Sequence, residues 1–366
     1  MISRRCALLT LAGTIVCLAL LTMMDCATQQ SKPAQPAGLS WPPPPDITRI
    51  EFVHSLLSDK DLTNDTTISE EIVNFVAGTK PRVNKIMEPM GLAVSDDADT
   101  LYISDTAWNE VFIFELAHKR FSKLDGFSHP LGLALDGEQN LYVVDQDRRQ
   151  VAVFDPSGKQ LRTISDKSLI KPTGIAIDRR RGRIYVVDTA TKVSNEHTVK
   201  IFAMDGRLLG HIGKGQGNQP GMFMFPTYIA LDGNGDIYVT DTLNNRVQEF
   251  DPNGNYLRTV GANGDTPGNF GRPKGIAIDT FGDLYVVDSA WSNVQIFNSK
   301  GQVLMFFAGR GPMPGLLANP TAMAIDKNNH IYVGDYINHR VEEYQLVNTA
   351  LADTQGGAST LTTASK

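Results

Sequence analysis

The chain reads as an all-β protein, a six-bladed β-propeller of four-stranded antiparallel blades closed by an N-terminal strand. Three observations lead there. One pattern recurs six times, with a fixed alanine (Ala93, Ala134, Ala176, Ala230, Ala277, Ala324), a fixed tyrosine (Tyr102, Tyr142, Tyr185, Tyr238, Tyr285, Tyr332) and a fixed aspartate (Asp105, Asp145, Asp188, Asp241, Asp288, Asp335). The steps between those aspartates are 40, 43, 53, 47 and 47 residues, the period of a unit made of four short strands. Each repeat also holds a near-continuous apolar run, such as Leu141–Val144 or Leu284–Val287. A run without alternation signals a strand buried on both faces, which packing of one blade on the next supplies.

Taken from its start, the chain opens with Arg4 and Arg5 before an apolar stretch from Cys6 to Met24. A basic start followed by a hydrophobic segment is the layout of an export signal, so residues 1–26 are expected to send the rest of the chain beyond the inner membrane of a bacterial envelope. Cys26 ends this stretch and resembles the lipidated cysteine of a bacterial lipoprotein, although Asp25 and Met23 depart from that pattern. Lipidation at Cys26, an uncleaved anchor and ordinary cleavage all remain open, since about 20 apolar residues can span a bilayer. The membrane is expected to be met through the N-terminus only. All three cysteines lie at or before position 26, which excludes a disulfide framework or thiolate metal site in the folded part.

Residues 27–46, with Pro42–Pro45, read as a proline-rich spacer, and residues 47–346 as the propeller. Two segments compete to supply the N-terminal strand. Glu71–Ala77 resembles Gln302–Ala308 and is expected to be the outermost strand of the last blade, with Ile47–Leu57 the alternative. Each repeat then yields strands A to D. Strand A follows a proline (Pro89, Pro130, Pro172, Pro226, Pro273, Pro320), where no ladder bond is lost. Two places on stands a small residue (Gly91, Gly132, Gly174, Gly275, Ala322), as expected where backbones converge on an axis; Tyr228 is the exception. The A–B turn Asp232–Asp236 mimics half of a calcium loop, but the required glycine is Ile237 and no helix flanks it, so a hairpin turn is the reading. Strand C begins at Val111, Val151, Val199, Val247, Val294 or Val341, and the third repeat carries a five-residue insertion around Val193–His197. The sixth repeat lacks a fourth strand of its own, and residues 347–366 turn polar and are expected to be disordered.

The segments Asp241–Val247 and Asp335–Val341, and the repeated order of proline, glycine, alanine and aspartate followed by tyrosine, valine and aspartate, resemble the NHL repeat over about residues 71–346. That resemblance implies six blades. The Asn-x-Arg element of the repeat is lost at Asn109–Val111 and at Asn293–Val294. Some propellers similar to these are lyases with metal-binding histidines just after the strand A proline. Here those places hold Met90, Leu131, Thr173, Thr227, Lys274 and Thr321. Lactonase-type propellers hold calcium on axial Glu, Asn and Asp, and no acidic cluster at the strand A entrances matches that. The repeated aspartates, with Arg246 and Arg340, read as structural: an aspartate at a strand end caps loop amides and an arginine pairs with a carboxylate.

A net charge of −6 with 20% charged residues gives no argument for nucleic acid as partner. No nucleophile motif appears. What remains is the face where the B–C and D–A loops emerge together. Trp108, Arg148, Asn244, Trp291 and Asn338 each lie three residues after their aspartate on that face and are the candidate binding residues. Each tryptophan could instead pack under its neighbouring loop. The sequence thus leans to a non-catalytic binding or scaffold module taking a protein, peptide or glycan on its loop face, without a cofactor. The alternative is a metal-dependent hydrolase or lyase with a divalent cation in the axial channel.

Overall fold

A computed structural model of the protein describes residues 38–62 and 83–349. The export signal, Cys26, Glu71–Ala77 and residues 350–366 lie outside the described residues. The chain begins with β1 (Ser40–Trp41) and β2 (Ile50–Leu56). Blade one is β3 (Pro89–Val94), β4 (Thr100–Asp105), β5 (Glu110–Glu115) and β6 (Arg120–Leu124). Blade two is β7 (Pro130–Leu135), β8 (Leu141–Asp145), β9 (Gln150–Phe154) and β10 (Gln160–Ser165). Blade three is β11 (Pro172–Asp178), β12 (Arg183–Asp188), β13 (Thr198–Ala203) and β14 (Leu208–Ile212). Blade four is β15 (Pro226–Leu231), β16 (Ile237–Asp241), β17 (Arg246–Phe250) and β18 (Tyr256–Val260). Blade five is β19 (Pro273–Ile278), β20 (Leu284–Asp288), β21 (Asn293–Phe297) and β22 (Val303–Phe307). Blade six holds β23 (Pro320–Ile325), β24 (His330–Asp335) and β25 (Arg340–Leu346), and β2 and β1 complete it.

All the sheets are antiparallel, and β3, β7, β11, β15, β19 and β23 touch in sequence to form a closed inner ring. The core lies between blades. Tyr102 and Val111 of blade one pack with Leu133, Leu141 and Val143 of blade two, and Leu92 and Ile103 close the circle against Ala322 and Val341 of blade six. The apolar runs of the B strands are buried throughout, with only the first residues of β4, β12 and β24 half-buried. Each fully buried Val, Leu or Ile contributes roughly 1.5–3 kcal/mol. At the inner ring the glycines are forced. A β-carbon on Gly132 would lie 2.5 Å from the Thr173 carbonyl oxygen of the next blade, and one on Gly275 2.8 Å from that of Thr321. The Asp232 turn is the expected hairpin, its carboxylate accepting the amides of Asn234 and Asp236.

The last blade corrects one expectation. Its fourth strand is β2, not Glu71–Ala77. β2 pairs with β25 from Ile50 opposite Leu346 to Leu56 opposite Val341. The physical reason is that β2 has something to bury at both ends: Ile50 enters the core between blades five and six, and Leu56 the core between six and one. The end of the proline-rich stretch also joins the sheet. Ser40–Trp41 pairs with Glu51 and Ile50, and the Trp41 ring packs on Phe307 and Tyr344 at 6.0 and 5.8 Å.

A buried carboxylate sits at this closure. Glu342 is fully buried, where it takes hydrogen bonds from the Ser55 hydroxyl of β2 (2.5 Å) and the Gly315 amide (3.1 Å) and pairs with Arg340 (2.5 Å). Blades four and five place Gln248 and Gln295 there, and these accept the equivalent loop amides of Gly221 and Gly268. Burial pushes the Glu342 carboxyl up to about 7, against the pull of Arg340, Ser55 and the Gly315 amide. Because the folded pKa is raised, the unfolded chain ionises first. The contribution of Glu342 to stability is fully present below the ordinary glutamate pKa of about 4.3 and is lost as pH rises towards 7. Glu342→Gln is therefore expected to gain about 1–3 kcal/mol on wild type between pH 5 and pH 8 in urea unfolding. Parallel pH profiles for the two proteins would refute this.

Candidate functional site

The loop face is built by the six repeated aspartates. All are fully buried, and each turns its carboxylate to amides just before its own strand A. Asp105 accepts Met87 and Glu88, Asp188 accepts Ile170 and Lys171, Asp288 accepts Gly271 and Arg272, and Asp335 accepts Ala318 and Asn319. Asp145 does the same for Ser128 and His129. Asp241 accepts Met224 and is further bound by Asn244, Arg246 and Gln248. Burial raises the pKa of Asp105 and Asp241 while these donors oppose the rise, so the donors are what keep the charge tolerable.

The five residues singled out three places after the aspartates share one geometry. Each donates a side-chain N–H to a carbonyl of the loop preceding its own blade. Trp108 Nε1 reaches Lys85 at 2.8 Å, Asn244 Nδ2 reaches Gly217 at 2.8 Å, Trp291 Nε1 reaches Gly264 at 3.1 Å and Asn338 Nδ2 reaches Gly311 at 3.0 Å. Arg148 binds the Gly126 carbonyl in the same way. They are clamps on the loops. Asn244 and Asn338 also bond to their aspartates, which leaves them little capacity for a ligand. The two tryptophans differ: with the N–H bound, 50% of Trp108 and 44% of Trp291 stays exposed.

The long D–A loops before blades four, five and six are equally fixed. Each closes on an isolated parallel bridge, Gln216 with Phe223, Asn263 with Phe270 and Arg310 with Leu317, and the second residue of each pair is fully buried. In the third repeat the insertion is held by His197, also fully buried. Its Nδ1 accepts the Phe225 amide at 2.9 Å, and its Nε2 faces the Thr191 carbonyl at 3.2 Å, where a proton on that nitrogen would complete a bond.

Three exposed apolar side chains on this rim were not legible as site residues. Leu243, Ile337 and Met313 are about half exposed, and the first two lie one residue before the clamps Asn244 and Asn338. With Trp291 and Trp108 they give blades four, five, six and one each an apolar side chain on the loop face. The only sequence signal is an apolar residue inside an otherwise polar turn.

The channel beneath is obstructed. Tyr228, the exception among the inner-ring glycines, reaches from blade four to blade one, where its hydroxyl donates to the Met90 carbonyl at 2.8 Å. Near the opposite end Arg179 of blade three binds Asp96 of blade one at 2.5 Å. Above Tyr228, the position after each strand A proline is filled by Met90, Leu131, Thr173, Thr227, Lys274 and Thr321. The threonines are spent on neighbours: Thr321 donates to Pro89 of the next blade at 2.5 Å, and Thr227 shares a hydrogen bond with Thr242 at 2.6 Å. Lys274 makes no hydrogen bond or ion pair among the described residues. Burial first, and then the Arg272 guanidinium, bring its amine down to about 8. A ring whose one charge is cationic does not fit a divalent metal.

One histidine-carboxylate cluster occurs among the described residues, away from the loop face. Asp99, Glu115 and His118 bring ligand atoms within 4.8 Å. Its members are already engaged, Glu115 by Arg120 and Asp99 by His118 and the Ala117 amide.

With this geometry in hand, the likenesses to known proteins fall into place. A family profile described as SMP-30/Gluconolactonase/LRE-like region matches residues 73–187, a 6-bladed beta-propeller profile matches 230–284 and an NHL repeat profile matches 317–344. Protein brain tumor of Drosophila melanogaster is 26% identical over 41% of this chain and 14% of its own length. A probable peptidyl-alpha-hydroxyglycine alpha-amidating lyase of Caenorhabditis elegans is 28% identical over 32% of this chain and 34% of its own length. The chain thus spans well under half of either relative. Among solved structures, a gluconolactonase of Xanthomonas campestris superposes with a TM-score of 0.56 at 20% identity, covering 72% of this chain and 88% of that one. At that identity the likeness is one of fold.

Proposed function

This chain is a six-bladed β-propeller that carries an NHL repeat, and from that premise we propose that it is an extracytoplasmic binding module whose loop face takes a protein, peptide or glycan. One observation carries the reading. Two indoles on blades one and five are pinned by their N–H groups and still offer half their surface, with Ile337 and Met313 between them on blade six. Aromatic anchors already immobilised lose little entropy on binding, and such residues dominate interface energies. The basic and apolar start of the chain supports a place in the cell envelope, lipid-anchored or periplasmic.

The test begins with partners captured by crosslinking in intact envelopes. Trp108→Ala with Trp291→Ala is expected to weaken each true partner by at least about tenfold, since truncating a central aromatic typically costs 1–2 kcal/mol or more. Unchanged affinity for every captured partner would remove the loop face from consideration.

The relatives named above keep a second reading in play, a metal-dependent hydrolase or lyase working in the channel. Tyr228 and Lys274 argue against it, because they set a phenol and an ammonium where a cation would have to bind. Metal analysis of the purified protein separates the two, and one calcium or zinc per chain would favour the enzyme.

A further inference from the structure

We propose that Lys274, with Arg272 beside it, forms an anion-binding site at the axial mouth that receives one carboxylate or phosphate group of a ligand held on the loop face. The proposal rests on the loop-face reading for what delivers the anion, but the site itself stands on its own geometry.

Arg272 and Lys274 flank Pro273 at the entrance to β19, on the side of the propeller where the B–C and D–A loops emerge. The fold holds Arg272 in place through its backbone, whose amide donates to the buried Asp288 at 3.0 Å and whose carbonyl accepts from the Ser289 amide at 3.1 Å. Its guanidinium has no partner among the described residues. Lys274 occupies the register position that in the next blade carries Thr321, whose hydroxyl lies against the inner ring at Pro89. Arg272 and Lys274 stand two residues apart on one strand entrance, close enough for Arg272 to lower the lysine pKa, and no carboxylate among the described residues forms an ion pair with either side chain. Two acidic residues that face strand A entrances on this side are occupied: Asp288 by the amides of Gly271 and Arg272, and Glu88 by the hydroxyls of Thr106 and Tyr336.

Below, the Tyr228 bridge narrows the channel, so a ligand group entering from the loop face meets the amine before it meets the plug. A partly desolvated ammonium without a counter-ion attracts an anion more strongly than an exposed one, because the solvent that would screen it is already reduced. With a pKa of about 8 the amine is still mostly protonated at neutral pH, so the charge is there to be used. A single anionic group fits better than a polyanion, since among the six positions that follow a strand A proline Lys274 alone carries a positive charge.

The test is a calorimetric titration of the full chain with inorganic phosphate and, separately, with acetate. Wild type is expected to bind one equivalent of at least one of them. Lys274→Met is expected to weaken that binding by about tenfold or more, and Lys274→Arg to keep most of it. Saturation by phosphate alone identifies a phosphate-bearing ligand, and saturation by acetate a carboxylate. The Met variant removes an uncompensated charge, so its melting temperature should equal or exceed that of wild type, which keeps loss of binding distinct from loss of fold. No binding of either anion by wild type, or equal binding by Lys274→Met, overturns the site. Either result leaves the loop-face reading to the tryptophan variants and the captured partners.

Discussion

Asp241→Ala should destabilise the propeller by about 3–5 kcal/mol, the cost of leaving a buried charge and its donors without a partner. Four groups converge on that carboxylate: the Met224 amide at 2.6 Å, Asn244 at 2.8 Å, Arg246 at 2.8 Å and Gln248 at 3.1 Å. Arg246 is itself largely covered and also donates to Gln219 and Met222. Removing the carboxylate strands a guanidinium, an amide and two side chains that jointly hold the long loop before blade four. The comparison is Asp251→Ala. Asp251 organises an exposed turn through the amides of Asn253 and Asn255, and its loss should cost about 1 kcal/mol or less, as for a solvated turn or cap. Urea unfolding of both variants checks the contrast. Equal costs would mean that the repeated aspartate does not carry the loop face, and Asp241 would lose its place as the fixed point of the repeat.

The repeat itself was open to reading because a propeller is nearly one-dimensional: each blade restates the same neighbours, so the aspartate at one strand end predicts the next. The capping role of Asp105 or Asp288 follows from spacing alone. Direction does not. Spacing puts Trp108, Arg148, Asn244, Trp291 and Asn338 in the turns after their aspartates but says nothing of which carbonyl their N–H groups find, and each finds one in its own preceding loop. Leu243 and Ile337 went unseen for a related reason, since an apolar residue in a turn is more often packed than presented. Tyr228 stood out as a departure at a glycine position, yet its acceptor, Met90, lies 138 residues away. Lys274 was visible only as a place where a histidine was missing. Its consequence depends on which carboxylates reach it in space, and none among the described residues pairs with it.

The closing strand shows the same limit at the scale of an element, and it sets the second large effect. Glu71–Ala77 and Ile47–Leu57 both look like strands, and local composition favoured the first because of its likeness to Gln302–Ala308. What decides is the match of alternation to two separate cores. In β2 Ile50 is fully buried and Val53 is 40% exposed, with Leu56 buried again. Phe52 sets its ring against Tyr344 at 5.9 Å, and Ser55 reaches Glu342. Ile50→Asp therefore puts a carboxylate into the space shared with Phe307, Tyr344 and Leu317, at an expected cost above about 4 kcal/mol. Val53→Lys on the same strand should change stability by less than about 1 kcal/mol. The effect of Ile50→Asp should extend beyond blade six, because a detached β2 leaves β25 as an open edge and unseals the core that joins blade six to blade one. Hydrogen exchange then has a defined pattern in wild type. Amides of Ile50–Leu56 should be protected as well as those of β14 and β18, which hold the outermost place in blades three and four. If Ile50→Asp costs no more than Val53→Lys, or if Ile50–Leu56 exchanges freely, β2 is not the strand that closes the ring.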